Sequence, residues 1–172
     1  SLTIDQIKQI FQGTITDWKD VGGPAGGIIL YGRESSSGTY DYFREHVLAK
    51  EDFSPRVQTL QGTAAIINAV ARDPRGIGYG GIAYAKDVRA LAIAADTGAP
   101  VAPSLETVSS GTYPLARNLY FYYLEGAPER VTRFVEFALS PQAQAIVTQV
   151  GYFPLPVTPA PPTAARTSDG AQ

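Results

Sequence analysis

Residues 30–43 read LYGRESSSGTYDYF. The apolar run Ile28 to Tyr31, β-branched at its start and bounded by glycines, leads into this stretch and reads as a buried strand. Beyond the serines, Tyr40, Phe43 and Val47 recur at i, i+3, i+7 and predict a helix from about Gly38 to Leu48. The unit is therefore strand, tight turn, helix. The first N–H groups of such a helix lack intrahelical partners, carry the positive end of the macrodipole and face the end of the sheet, which favours an anion. Arg33 adds a planar fork able to bond two oxygens, Ser37 and Thr39 add hydroxyls, and Gly38 leaves its backbone open to close approach. The same residues also fit a plainer pattern, in which Ser37 caps the helix, Ser35 and Ser36 form the turn and Arg33 is a solvated surface residue.

The flanking sequence repeats the alternation of strand and helix. Thr3-Ile4-Asp5-Gln6 fits a capping box ahead of Ile7, Ile10 and Phe11, which predicts a helix over 3–12 ended by Gly13. Val57 to Leu60 is a strand candidate, Thr63 is placed to cap a helix through Arg72, and Ile77 with Tyr79 forms a short strand among glycines. Residues 83–87 read as a helical turn, 89–94 as a strand and 97–112 as a loop. NLYFYYL at 118–124 reads as an aromatic strand, and 128–149 as helix with a break at Ser140-Pro141. From Pro154 onward the proline-rich composition predicts a disordered tail. This order implies an α/β layer architecture.

Composition narrows the functional classes. A chain of 172 residues that is 44% hydrophobic can bury a real core. A net charge of −2 offers no footprint for a nucleic acid, and no apolar run is long enough to span a bilayer. There is no cysteine, which excludes disulfides, thiol nucleophiles and cysteine zinc sites; the absence of methionine leads us to expect a processed product or a fragment. His46 is the only histidine, so a histidine-rich metal site cannot be built. The carboxylates show neither calcium-loop spacing nor an acid/base pair, and Ser36 lies in no nucleophile elbow. No enzyme, metal or cofactor is expected. GIGYGG, through Gly76, Gly78 and Gly81, satisfies the letters of a dinucleotide fingerprint, with Asp96 downstream, but a helix precedes it and the glycines alternate as within a strand.

Four stretches carry a resemblance: LTIDQIKQIFQGTITDWKDVGG, LYGRESSSGTYDYFREHVL, GTAAIINAVARDPRGIGYGGIAYAKD, and YPLARNLYFYYLEGAPERVTRFVEFALSPQAQAIVTQVGYFPL. In this order the chain resembles the phosphate-binding proteins of phosphate ABC transporters, within the type II periplasmic-binding-protein family. The resemblance implies an α/β lobe with a mixed sheet flanked by helices over residues 1–112, then a return strand and helices of the other lobe over 113–155, with 156–172 as the proline-rich tail. It implies that Arg33 clamps phosphate while Ser37, Gly38 and Thr39 form its anion loop. The family often has an Asp two residues after this arginine; here Ser35 stands there, with Glu34 beside it.

Further expectations follow from the resemblance. The chain is expected to start at the first helix of the second lobe and to lack a further half-lobe with another phosphate loop and the carboxylate that accepts the proton of hydrogen phosphate. A periplasmic or exported solute-binding protein delivering inorganic phosphate to an ABC permease is implied, without nucleic acid. The apolar Phe121, Tyr123, Phe134, Phe137 and Val147 are expected to seek another chain or to fold back on the lobe. The alternatives are a non-transport interaction or scaffold module retaining this fold, or binding of a related oxyanion.

Overall fold

The computed structural model describes residues 1–95 and 98–156. Asp96 and the tail beyond residue 156 lie outside the described residues. The chain begins with β1 (Leu2–Thr3) and α1 (Ile4–Gln12), where Thr3 and Gln6 form the expected capping box and Gly13 ends the helix. A short 3-10 turn, Trp18–Val21, precedes β2 (Ile29–Arg33), followed by α2 (Gly38–His46), β3 (Gln58–Leu60), α3 (Thr63–Arg72) and β4 (Gly76–Gly78).

The strands β3, β2 and β4 form one sheet with β2 central, and both neighbours are parallel to it. Arg33 pairs in register with Leu60, and Leu30 with Ile77. Parallel neighbours need crossover connections, which α2 and α3 provide. A second parallel pair joins β1 to β5 (Ile93–Ala94). Antiparallel pairing among the described residues is confined to two isolated bridges, Asp17 with Gly27 and Ile93 with Val101.

Alternation along β2 buries Leu30 and Gly32 on one face and leaves Arg33 at the strand's end. Gly32 is required there: a Cβ would come within 2.6 Å of Val57 Cγ1. The core packs α1 and α2 onto the strands through Ile7, Ile10, Phe11, Phe43, Val47 and Leu48. At its centre Phe11 meets Phe43 edge-on at 4.8 Å between ring centroids, and Phe43 stacks on Tyr79 at 4.0 Å. Phe11 is fully buried, so truncation to alanine would cost about 3–5 kcal/mol.

Several expectations change. The cap of α3 is Gly62, not Thr63, because Thr63 is already helical and its hydroxyl is engaged elsewhere. The turn expected at 83–87 is a 3-10 turn at Ile82–Tyr84, and the strand expected over 89–94 shrinks to β5. The loop expected at 97–112 contains α4 (Leu105–Ser109), capped reciprocally by Ser104 and Thr107. No strand forms at 118–124: those residues have no ladder partner among the described residues, and β-propensity alone does not make a strand without one. The helical region divides at the expected break into α5 (Glu129–Ala138) and α6 (Pro141–Gln149), with Ser140 as cap and Pro141 in the first turn.

The apolar residues expected to seek a partner surface are mostly exposed. Tyr122 is 91% exposed, and Leu119, Tyr120, Phe121, Tyr123, Leu124, Phe134 and Phe137 are also exposed, whereas Val147 is half-buried. Phe121 rests edge-on against Phe134 at 5.9 Å between centroids.

Candidate functional site

Arg33, Ser37, Gly38 and Thr39 come together between the end of β2 and the start of α2. Ser37 is the N-cap of α2: its Oγ accepts the N–H of Thr39 at 3.1 Å and that of Tyr40 at 3.4 Å. The side chain is buried and its hydroxyl hydrogen remains to donate. The plainer pattern is therefore correct about the cap. It is wrong about the arginine, whose side chain is only 14% exposed. Ser35 and Ser36 are exposed spacers.

Four hydrogen bonds to three residues hold Arg33 in place. Its Nε donates to Glu34 Oε2 at 3.1 Å and its Nη2 to Glu34 Oε1 at 3.0 Å, a two-pronged pair. Its Nη1 donates to Thr63 Oγ1 at 3.0 Å, at the first residue of α3. Its backbone N–H donates to the Tyr79 hydroxyl at 3.2 Å. The side-chain bonds use three of the five guanidinium N–H groups, so two remain for a ligand among the described residues. The bond from Arg33, followed by a hydrogen bond to its backbone, holds the Glu34 carboxyl well below the ordinary carboxylate range, at about 2. Burial pushes the Tyr79 phenol up to about 12.

The start of α3 also faces this cluster. Gly62 adopts φ of +80°, a conformation that favours glycine, and its N–H points to Glu34 Oε2 at 3.4 Å. No side chain caps α3. The guanidinium thus touches the start of α3, while α2 begins four residues further along the chain from Glu34. An open cleft of about 350 Å³ lies alongside, lined by Arg33, Ser35, Tyr40, Phe53 and Tyr79 among others. The site's polar groups are N–H groups and hydroxyls, all of which can donate, apart from Glu34, whose carboxylate is occupied by the arginine and Gly62. The chemistry matches a small oxyanion.

At the mouth of the site, Arg117 Nη2 donates to Thr39 Oγ1 at 3.3 Å, and its guanidinium lies 5.2 Å from the centroid of the Tyr42 ring. Burial raises the Tyr42 phenol above its ordinary value, and the Arg117 charge opposes that rise. His46 stacks on Tyr42 and is exposed, away from any metal-binding cluster among the described residues. Glu34, Thr63, Tyr79 and Arg117 were not expected at the site. Glu34 alone had a legible signal, its adjacency to the arginine.

A family model for the PBP superfamily domain matches residues 1–142. The phosphate-binding protein PstS of Pseudomonas aeruginosa is 36% identical over 90% of this chain and 54% of its own length. Protein SphX of Synechococcus elongatus is 33% identical over 91% of this chain and 50% of its own length. A solved Clostridium perfringens chain with bound phosphate, provisionally assigned as a phosphate ABC transporter substrate-binding protein, superimposes with a TM-score of 0.75 at 30% identity, covering 89% of this chain and 62% of that one. An ABC-type phosphate transport receptor from Vibrio cholerae gives 0.69 at 26% identity, covering 88% and 62%. The chain spans about half the length of these curated relatives. The resemblance and the α/β fold class expected from the sequence are borne out.

Proposed function

We propose that this chain, which belongs to the PBP superfamily, binds inorganic phosphate as a solute-binding component of ABC-transporter uptake. The observation that carries this reading is the preorganised Arg33, held by Glu34 and Thr63 beside the Ser37-capped start of α2. Arg33 bonds two phosphate oxygens, Ser37 and Thr39 donate their hydroxyls, and the Gly38 amide completes the cradle, the Thr39 amide being held by the Ser37 cap. The relatives that bind phosphate, or are named for its transport, support the choice of anion. A related oxyanion would use the same donors.

The reading assigns residues 1–112 to one lobe and 113–155 to a return segment. The protein works outside the cytoplasm, in the periplasm or exported, and hands its anion to an ABC permease. No helix among the described residues is long and apolar enough to cross a membrane. The role is binding, with no catalytic step.

Magnitudes set the affinity of these donors. Charge-assisted bonds are worth about 1.5–3 kcal/mol each, while association costs at least about 4 kcal/mol, which leaves roughly millimolar binding. Calorimetry on this chain should therefore show weak phosphate binding that Arg33→Ala removes. A micromolar constant lost on Arg33→Ala would mean that these donors do not work as a one-sided site. The interaction-module alternative draws on the exposed aromatics at 119–124, and it gains if phosphate leaves the chain untouched while another protein surface covers that segment.

A further inference from the structure

Arg33 reaches the site with its charge already compensated, since Glu34 forms both prongs of its ion pair. The pair contributes direction and N–H donors but little net positive charge to an anion. A phosphate carrying one or two negative charges is better held where a further cation is near. The only side-chain hydrogen bond from another cation to the anion loop among the described residues comes from Arg117.

Arg117 lies 78 positions along the chain from Thr39. Its Nη2 bonds Thr39 Oγ1, and its Nη1 lies 4.0 Å from where a Cβ on Gly38 would stand. Both contacts fall on residues of the anion loop. The side chain is exposed and takes part in none of the ion pairs among the described residues. Tyr42 positions it twice over: the ring lies under the guanidinium, and the hydroxyl donates to the Ala116 carbonyl at 3.1 Å, fixing the adjacent backbone.

We propose that Arg117 is a second ligand-contacting arginine of the phosphate site, supplying its uncompensated positive charge and setting the Thr39 hydroxyl to donate. Because Thr39 Oγ1 accepts from Arg117, its own hydrogen is directed elsewhere, toward the anion. Ligand binding thereby ties the return segment to the start of α2. This inference rests on the phosphate reading above.

The test follows the Gly38 and Thr39 amide resonances while inorganic phosphate is titrated into the full chain at several chloride concentrations. Unmodified protein, Arg117→Gln, Arg117→Lys and Arg33→Ala are compared. Arg117→Gln should raise the dissociation constant about tenfold and flatten its dependence on chloride. Arg117→Lys should keep the chloride dependence with about a threefold loss, because it retains charge but not the fork. If Arg117→Gln loses its dispersed spectrum, Arg117→Lys decides. Unchanged affinity and chloride dependence in the Arg117 variants, with binding abolished by Arg33→Ala, would overturn the role of Arg117 and leave the phosphate site standing. No saturable shift in the unmodified chain would overturn the phosphate reading and this inference with it.

Discussion

Arg33 and Glu34, neighbours in sequence, form a side-on ion pair with bonds of 3.1 and 3.0 Å, and Thr63 at the start of α3 locks the guanidinium from a third direction at 3.0 Å. An arginine held this way loses little side-chain freedom when an anion arrives, which is how preorganisation lowers the cost of binding. The guanidinium is oriented by Glu34, one residue before the position where the family often has an Asp.

The pair should be visible in acid. The folded pKa of Glu34 is depressed from an ordinary 4.5 to about 2, so its stabilising effect is fully present above about pH 4.5 and is lost as pH falls through about 2. The melting-temperature difference between the protein and Glu34→Gln should shrink steadily over that window. A difference that stays constant from neutral pH to pH 2 would contradict the pair.

Tyr79 joins the core to the site, stacking on Phe43 while its hydroxyl accepts the Arg33 backbone N–H. Tyr79→Phe keeps the ring and orphans that N–H, which should cost about 1–2 kcal/mol in denaturant unfolding. The phenol's raised pKa contributes stability below its ordinary value of 10.0 that is lost as pH rises through about 12, so the variant should also be less sensitive to alkali.

Ser37 and Gly38 should separate folding from binding. Ser37→Ala removes the cap of α2 and should cost about 1 kcal/mol of stability. Gly38→Ala meets only Arg117 Nη1 at 4.0 Å and should stabilise by about 0.5 kcal/mol, because helical backbone suits alanine. Both should weaken phosphate binding several-fold. Gly38→Ala with unchanged affinity would show that the ligand does not approach that backbone.

The exposed aromatic segment makes a prediction about surfaces. Tyr120 to Leu124, with Phe134 and Phe137, presents a contiguous apolar run that should bind an apolar dye and promote association at high concentration. Light scattering from a strict monomer, together with no dye enhancement, would contradict an unsatisfied face there.

The turn from Arg33 to Thr39 was legible because its parts are local. A β-branched run, an arginine, a capping serine and an i, i+3, i+7 stripe lie within twenty residues, and each states its own geometry. What escaped was contributed by distant chain. Thr63 read as a cap because its hydroxyl precedes an apolar stripe, yet that hydroxyl turns to Arg33, thirty residues earlier. Tyr79 read as a strand residue among glycines, and nothing local places its hydroxyl against the Arg33 backbone. Arg117 lies 78 positions from Thr39. The aromatic 118–124 run shows the converse failure: its composition favours a strand, but a strand needs a neighbour, and composition does not say whether one is present.

The central claim is that Arg33 and the start of α2 hold phosphate together. The most direct test is an amide-resolved titration of the chain with inorganic phosphate at constant ionic strength. Saturable shifts centred on Gly38 and Thr39, with a roughly millimolar constant and complete loss in Arg33→Ala, are predicted. Shifts absent from those two amides, or persisting unchanged in Arg33→Ala, would contradict it.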